Sequence, residues 1–167
     1  MKQHNLNGDD PVIQAVTPAN IDDVIQLVLE VFDSDVARTM SAEGVATFTS
    51  SSPNEQRKGL ADRHIFLAAV LDDQVVGVVR LNRAGHLYLL FVDSAYQGHG
   101  IGKKLLTTSL EALRQHDSGI ERVTLNASLN AVDVYQHWGC KVTGAQIIKK
   151  GIRVIPMELS IREFLSR

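Results

Sequence analysis

Several features common in other protein classes are scarce in this sequence. Its 167 residues include a single cysteine, Cys140, which cannot form an internal disulfide and suits a reducing cytosol. A run of about eighteen apolar residues is missing, so no membrane span is expected. The polar segment 1–10 lacks an apolar signal-peptide core and is expected to be a disordered tail. These absences favour a cytoplasmic location.

The charge balance also excludes a class of partner. The net charge is −2 with the histidines neutral, whereas nucleic-acid-binding proteins usually carry a strong basic excess. No nucleic-acid partner is therefore expected. Hydrophobic residues make up 44% of the chain, which is enough for a folded core and predicts one domain over residues 11–167.

Apolar periodicity predicts an α/β (α+β) domain in the order strand, two helices, three strands, helix, strand, helix and two strands. The predicted strands are Val12–Val16, Ile65–Leu71, Val75–Leu81, His86–Val92, Val123–Asn126, Val142–Lys149 and Ile152–Ser160. The predicted helices begin at Thr17-Pro18 and Ser41, follow Gly100 along the apolar face of residues 101–113, and cover Asn130–Trp138. Ser52-Pro53-Asn54-Glu55 has a capping-box pattern and predicts a further helical segment to about Asp62. About seven strands then form a mixed, mostly antiparallel sheet with helices on both faces.

The most informative stretch is the glycine loop, residues 97–103, which joins an apolar strand to a helix. Glycine lets the backbone approach a ligand closely, and the first amides of a helix have no intrahelical acceptors. The loop therefore predicts a site for a phosphate or pyrophosphate. A Walker A loop is excluded because Lys104 stands where Ser or Thr is required, and a dinucleotide fingerprint because Lys103 fills the third glycine position. The alternative is a turn that merely joins strand to helix.

The remaining pattern, Gln-x-x-Gly-x-Gly at Gln97, Gly100 and Gly102, resembles the acyl-CoA pyrophosphate loop of the GNAT acetyltransferase superfamily. A second element supports the resemblance. The superfamily carries Asn-x-x-Ala-x-x-x-Tyr-x-x-x-Gly-Phe on a short helix, and this chain matches it at Ala131, Tyr135 and Gly139. It departs from that pattern with Ser128 where Asn is commoner and Cys140 where Phe is usual.

The resemblance implies a bulged central strand that diverges from the next strand, with acetyl-CoA in the gap as co-substrate. It implies that acetyl-CoA is bound by Leu90, Phe91 and Val92 of the strand, by Gln97, Gly98, His99, Gly100, Ile101, Gly102 and Lys103 of the loop, and by Asn126 of the next strand. His99 is expected to contribute a backbone amide with its ring in solvent. The implied activity is N-acetylation of a primary amine of a small molecule or peptide by direct attack in a ternary complex.

Tyr135 is the candidate general acid, because it occupies the family's tyrosine position and its neutral phenol can donate a proton to the leaving thiolate. The alternative is a tyrosine that packs the helix and bonds CoA without proton transfer. His86 is the candidate general base, predicted to share a strand face with Tyr88, Leu90 and Val92. The alternatives are a hydrogen-bonded strand-end histidine and an ordered water as the base.

The acceptor cannot be identified from the sequence. Asp33, Asp35 and Glu43 are expected near the rim of its pocket, where they would suit a cationic amine or simply be solvated. Trp138 and Cys140 are expected in the core, and the spacing of His4, His64, His116 and His137 predicts no metal site. The main alternative function is a non-catalytic acyl-CoA sensor or binding module. Acyl-enzyme chemistry on Cys140 is a minor alternative. The protein is expected to be a monomer or homodimer.

Overall fold

The structure, a computed structural model, describes residues 9–149 and 151–167. Most of the predicted disordered tail, residues 1–8, lies outside the described residues. Residues 9 and 10 are exposed and belong to no helix or strand.

Eight strands form one mixed sheet. They are β1 (Val12–Ala15), β2 (Ile65–Leu71), β3 (Gln74–Leu81), β4 (His86–Val92), β5 (Arg122–Ser128), β6 (Lys141–Val142), β7 (Ile147–Lys149) and β8 (Ile152–Ser160). The order is β1-β2-β3-β4-β5-β8-β6, and β7 also pairs with β8. Neighbours are antiparallel except for β4 and β5, which run parallel. The predicted mostly antiparallel sheet is confirmed.

The predicted strand Val142–Lys149 is divided into β6 and β7 because Pro156 interrupts its partner. The Pro156 carbonyl accepts a hydrogen bond from the Thr143 amide, so the backbone N and carbonyl of Pro156 lie on the β6 side of β8. Proline has no N–H to return a bond on that side, which breaks the ladder between the two short strands.

The helices are α1 (Ile21–Val31), α2 (Ala42–Ala61), α3 (Ile101–His116), α4 (Val132–His137) and α5 (Ile161–Leu165). Between α1 and α2 the chain forms a π-helical turn, Phe32–Val36, and a 3-10 turn, Ala37–Thr39. No helix within the described residues is long and apolar enough to cross a membrane. The short α5 was not predicted.

Two predicted helix starts are wrong. Thr17 does not begin α1; its hydroxyl and carbonyl close a turn that precedes Ile21. Ser52-Pro53 does not begin a new helix, because Pro53 lies inside the continuous α2. The Ser52 hydroxyl is buried and accepts a hydrogen bond from the Gln56 side chain at 3.2 Å, so it is not available to cap a backbone amide.

Each face of the sheet has its own apolar core. On one face, α3 packs through buried residues such as Leu105 and Leu110. On the other face, α1 packs through Val24 and Val28. The sheet is therefore fixed from both sides near its centre, where its strands are least well paired.

Leu105→Ala is expected to lower the free energy of unfolding by about 2–5 kcal/mol, because a fully buried leucine leaves a cavity when truncated. Urea denaturation measures this. Val12→Ala, at a side chain that is 63% exposed, is the control and should change stability by no more than about 0.5 kcal/mol. Equal losses in both variants would contradict the packing described for α3.

Candidate active site

The centre of the sheet opens where β4 and β5 diverge. Within the described residues, the two strands pair only at His86 with Thr124 and at Leu87 with Leu125, although both continue further. Tyr88 is an extra residue in β4: Leu87 lies opposite Leu81 and Leu89 opposite Arg80. This bulge bends β4 directly after its last pair with β5.

The bulge corrects one sequence-based expectation. His86, Tyr88, Leu90 and Val92 do not all share a face of β4. Leu90 and Val92 pack against the α3 core, together with Leu87. Leu89 and Phe91 pack against the α1 core. One inserted residue exchanges the faces of all later side chains, and strict alternation from His86 cannot anticipate that.

A cavity of about 810 Å³ occupies the gap between β4 and β5. One part, which we call the loop end, is lined by the glycine loop and α4. The other part, the apolar end, is lined by residues from the α1–α2 region and the start of β8, namely Val31, Phe32, Asp35, Val36, Met40, Phe48, Ile152 and Val154. Tyr135 and Trp138 belong to the core on the α3 face, and Val31 and Phe48 to the core on the α1 face, so the cavity is lined from both faces of the sheet.

Three different structural requirements explain the glycines of this loop. Gly98 and Gly100 have φ of +82° and +78°, a conformation that other residues adopt with strain. A Cβ atom on either would meet nothing within 4 Å, so the loop presents open backbone to the cavity. At Gly102, a Cβ would approach the Trp138 ring to 3.3 Å, so glycine is needed for close packing. Gly100 is also the N-cap of α3, whose first amides can bind an anion.

Gln97 connects the loop to both neighbouring elements. Its Nε2 atom donates hydrogen bonds to the Val92 carbonyl at 2.9 Å and to Asp35 Oδ2 at 2.7 Å. The side chain thus fixes the end of β4 against the turn that follows α1. Sequence spacing alone predicted only a cofactor contact for Gln97.

Most of the predicted cofactor-binding residues, including Gln97, lie together around the cavity. The cavity lining includes ten of them: Leu90, Phe91, Val92, Gln97, Gly98, Gly100, Ile101, Gly102, Lys103 and Asn126. His99 is exposed and is not part of the lining. Its predicted backbone contact stays a prediction.

Tyr135 lies in the lining and is 9% exposed. Burial raises the pKa of its phenol well above the ordinary value of 10.0, and Cys140 adds to the shift. The phenol is therefore neutral, a hydrogen-bond donor and a weak acid.

Cys140 is buried and is not part of the cavity lining. Burial raises the pKa of its thiol to about 11, against an opposing effect of Arg167. The thiol is therefore protonated near neutral pH and does not suit acyl-enzyme chemistry, which needs a thiolate.

His86 lies beyond the edge of the lining, beside Tyr88, which is part of it. The two rings meet edge to face with centroids 4.8 Å apart, and His86 Nδ1 is 2.8 Å from the Thr124 hydroxyl. Burial lowers the pKa of His86 below 6.5, and Lys149 and Arg80 add to the effect.

Of the three acidic residues expected at the rim, only Asp35 is in the lining; Asp33 and Glu43 are exposed elsewhere. Trp138 packs on the core as expected but also lines the cavity. Its spacing of three from Tyr135 places both rings on one helix face, a signal that was available from the sequence. The polar lining residues Ser128 and Asn130 were not predicted.

The sequence matches a known domain family along most of its length. Residues 36–161 match the family described as acetyltransferase (GNAT) domain. The chain belongs to this family. It is 28% identical over 136 residues to human N-acetyltransferase 8B, a match covering 80% of this chain and 55% of that protein. The chain thus spans about half the length of this curated relative.

Solved structures share the fold. A GCN5-related N-acetyltransferase from Rhodopseudomonas palustris superposes with a TM-score of 0.74 at 20% identity, covering 93% of this chain and 99% of the other. PaiA N-acetyltransferase from Thermoplasma acidophilum, solved in complex with coenzyme A, gives 0.71 at 19% identity, with coverages of 91% and 99%. The predicted GNAT-like fold is confirmed.

If the loop is the predicted pyrophosphate site, Gly100→Asp is expected to weaken acetyl-CoA binding by about tenfold or more, because it adds a negative charge beside the helix amides that would bind the pyrophosphate. Gly100→Asn is the matched control: it has similar size, tolerates the left-handed backbone conformation and adds no charge. Calorimetry on both folded variants measures the difference. An unchanged affinity in Gly100→Asp would contradict the assignment of the loop.

Proposed function

We propose that the protein transfers an acetyl group from acetyl-CoA to a primary amine by direct attack within a ternary complex. The observation that carries the proposal is the cavity itself, whose lining includes the glycine loop, the unpaired parts of β4 and β5, and apolar side chains of the α1–α2 region. A site of this shape holds two reactants with their reacting groups in contact. In this proposal the pyrophosphate lies at the loop end and the amine at the apolar end.

The reaction needs a donor to the developing oxyanion. Between Tyr88 and Val92, the β4 edge that faces β5 has no β5 partner among the described residues. Backbone amides on that edge are positioned to bind the pantetheine arm and the thioester oxygen. The amine nitrogen attacks the carbonyl carbon, the oxygen becomes negative, and collapse of the intermediate breaks the C–S bond.

Tyr135 is proposed to act on the sulfur as the thiolate leaves. A phenol has a reference pKa of about 10 and a thiol about 8.5, so complete transfer from phenol to thiolate is uphill, and burial of the phenol increases the difference. Tyr135 therefore stabilises the developing thiolate mainly by donating a hydrogen bond. Of the two interpretations of Tyr135, this favours a hydrogen bond to CoA and disfavours the transfer of a full proton.

Tyr135→Phe is expected to lower turnover by about tenfold to a thousandfold, the scale for removing one hydrogen-bond donor to a developing negative charge, while acetyl-CoA affinity is nearly kept. The reason is that the lost hydrogen bond strengthens only as charge develops on sulfur. Rates of CoA release, measured where chemistry limits turnover, test this. Tyr88→Phe removes a hydroxyl from another lining tyrosine and serves as the control. If acetyl-CoA binds but no amine is acetylated by the wild type, the non-catalytic binding module is favoured instead.

The general base remains a choice between His86 acting through water and water alone. Neutral imidazole accepts the proton, and because burial lowers the pKa of His86, the ring becomes neutral at a pH below 6.5. If His86 is the base, the rate of the wild type rises with pH through the pKa of His86 and is flat near neutrality. This rise is absent in His86→Ala. If water is the base without His86, the rise in rate with pH follows the pKa of the amine instead. pH profiles with two amines of different pKa, in both proteins, distinguish these outcomes.

A further inference from the structure

We propose that the apolar end selects an amine with an apolar body and a single positive charge, and that Asp35 is the residue that selects the charge. This rests on the proposed acetyltransferase function and specifies the class of its acceptor.

The walls of the apolar end favour an apolar body. Phe32 and Phe48 stack with ring centroids 3.9 Å apart and an interplanar angle of 10°, which joins the end of α1 to α2. Val36 and Met40 come from the turns between these helices, and Ile152 lies across from them at the start of β8. Removing an apolar ligand surface from water against such a wall stabilises the complex.

The apolar end is also limited in size. The Ser41 hydroxyl, at the start of α2, donates a hydrogen bond to the Gly151 carbonyl at 3.3 Å. A Cβ atom on Gly44 would lie 2.3 Å from the same carbonyl oxygen, so the two backbones are in direct contact. α2 and the start of β8 therefore close together on this side, which favours a compact acceptor.

Asp35 carries the negative charge that a cationic amine requires. Its Oδ1 accepts a hydrogen bond from Ser34 at 2.8 Å and its Oδ2 from Gln97 at 2.7 Å, and both donors are neutral. The ion pairs found in residues 9–149 and 151–167 do not include it. The basic lining residues, Lys103 and His137, belong to the glycine loop and α4. Within residues 9–149 and 151–167, Asp35 is therefore the charged lining residue of the apolar end, and it has no salt-bridge partner there.

A single carboxylate in an apolar wall discriminates against more polar amines. A second ammonium, or several hydroxyl groups, would lose their water without finding partners among phenylalanine, valine and methionine side chains. Polycationic amines are therefore expected to be poor acceptors, even though their charge would be attracted to Asp35.

Gln97 is a positioning residue in this arrangement. Because the same Nε2 atom bonds Asp35 and the Val92 carbonyl, it holds the carboxylate in a fixed place relative to the end of β4. Asp35→Asn keeps an oxygen that can accept this bond and removes only the charge. That substitution therefore separates the charge of Asp35 from its part in the structure.

The test compares hexylamine with cadaverine, in which a second ammonium replaces the terminal methyl group. With saturating acetyl-CoA, kcat/KM of the wild type should be higher for hexylamine by about tenfold or more. Asp35→Asn should raise KM for hexylamine by about tenfold while acetyl-CoA affinity is unchanged. Phe48→Ser should reduce the preference for hexylamine over cadaverine. Asp33→Asn, a neighbouring exposed acid outside the lining, is the control and should behave like the wild type.

Equal or better use of cadaverine, or an unchanged KM in Asp35→Asn, would overturn the inference while leaving the acetyltransferase proposal intact. Absence of acetyl transfer to every amine would instead refute the proposed function. In that case, calorimetric binding of the two amines to the CoA-saturated protein still decides the inference. Tighter binding of hexylamine that weakens in Asp35→Asn supports it, and equal binding of both amines overturns it.

Discussion

The separation of β4 from β5 is the constraint on which the rest of this structure depends. Parallel pairing stops after Leu87 and Leu125, and the bulge at Tyr88 bends β4 away at that point. A sheet interrupted at its centre needs support from elsewhere. It comes from the two cores, one on each face, and from the long antiparallel ladder between β5 and β8. These contacts allow a small domain to hold a cavity that is lined from both faces of its sheet.

Burial favours the neutral form of three titratable groups at or near this cavity, namely Tyr135, Cys140 and His86. The phenol of Tyr135 and the thiol of Cys140 are both kept neutral because a charged form would lose its hydration. Tyr135 is in the lining and can donate a hydrogen bond there, whereas Cys140 is packed behind it. Burial instead lowers the pKa of His86, which also favours the neutral form of that side chain. Burial therefore keeps Tyr135 a neutral hydrogen-bond donor and favours the neutral form of His86.

Gln97 shows how one side chain joins the two ends of the site. The residue begins the glycine loop, yet its amide holds Val92 and Asp35 rather than projecting alone into the cavity. A change in the position of the loop would therefore be transmitted to the Asp35 carboxylate.

The sequence by itself determined the local features: the glycine loop between strand and helix, the tyrosine helix, most strand positions and the mostly antiparallel sheet. These follow from backbone freedom at Gly98 and Gly100 and from apolar periodicity, which act over a few residues. Only the tertiary structure decided the face on which Leu90 and Val92 lie, the continuation of α2 through Pro53, and the choice of Asp35 over Asp33 and Glu43 as a lining residue. The faces of β4 and the position of Asp35 depend on partners distant in sequence, namely the facing strand that defines the bulge and the Gln97 amide that holds one carboxylate. The Ser52 hydroxyl inside α2 is bonded by the Gln56 side chain, and the residue pattern could not show that it is buried.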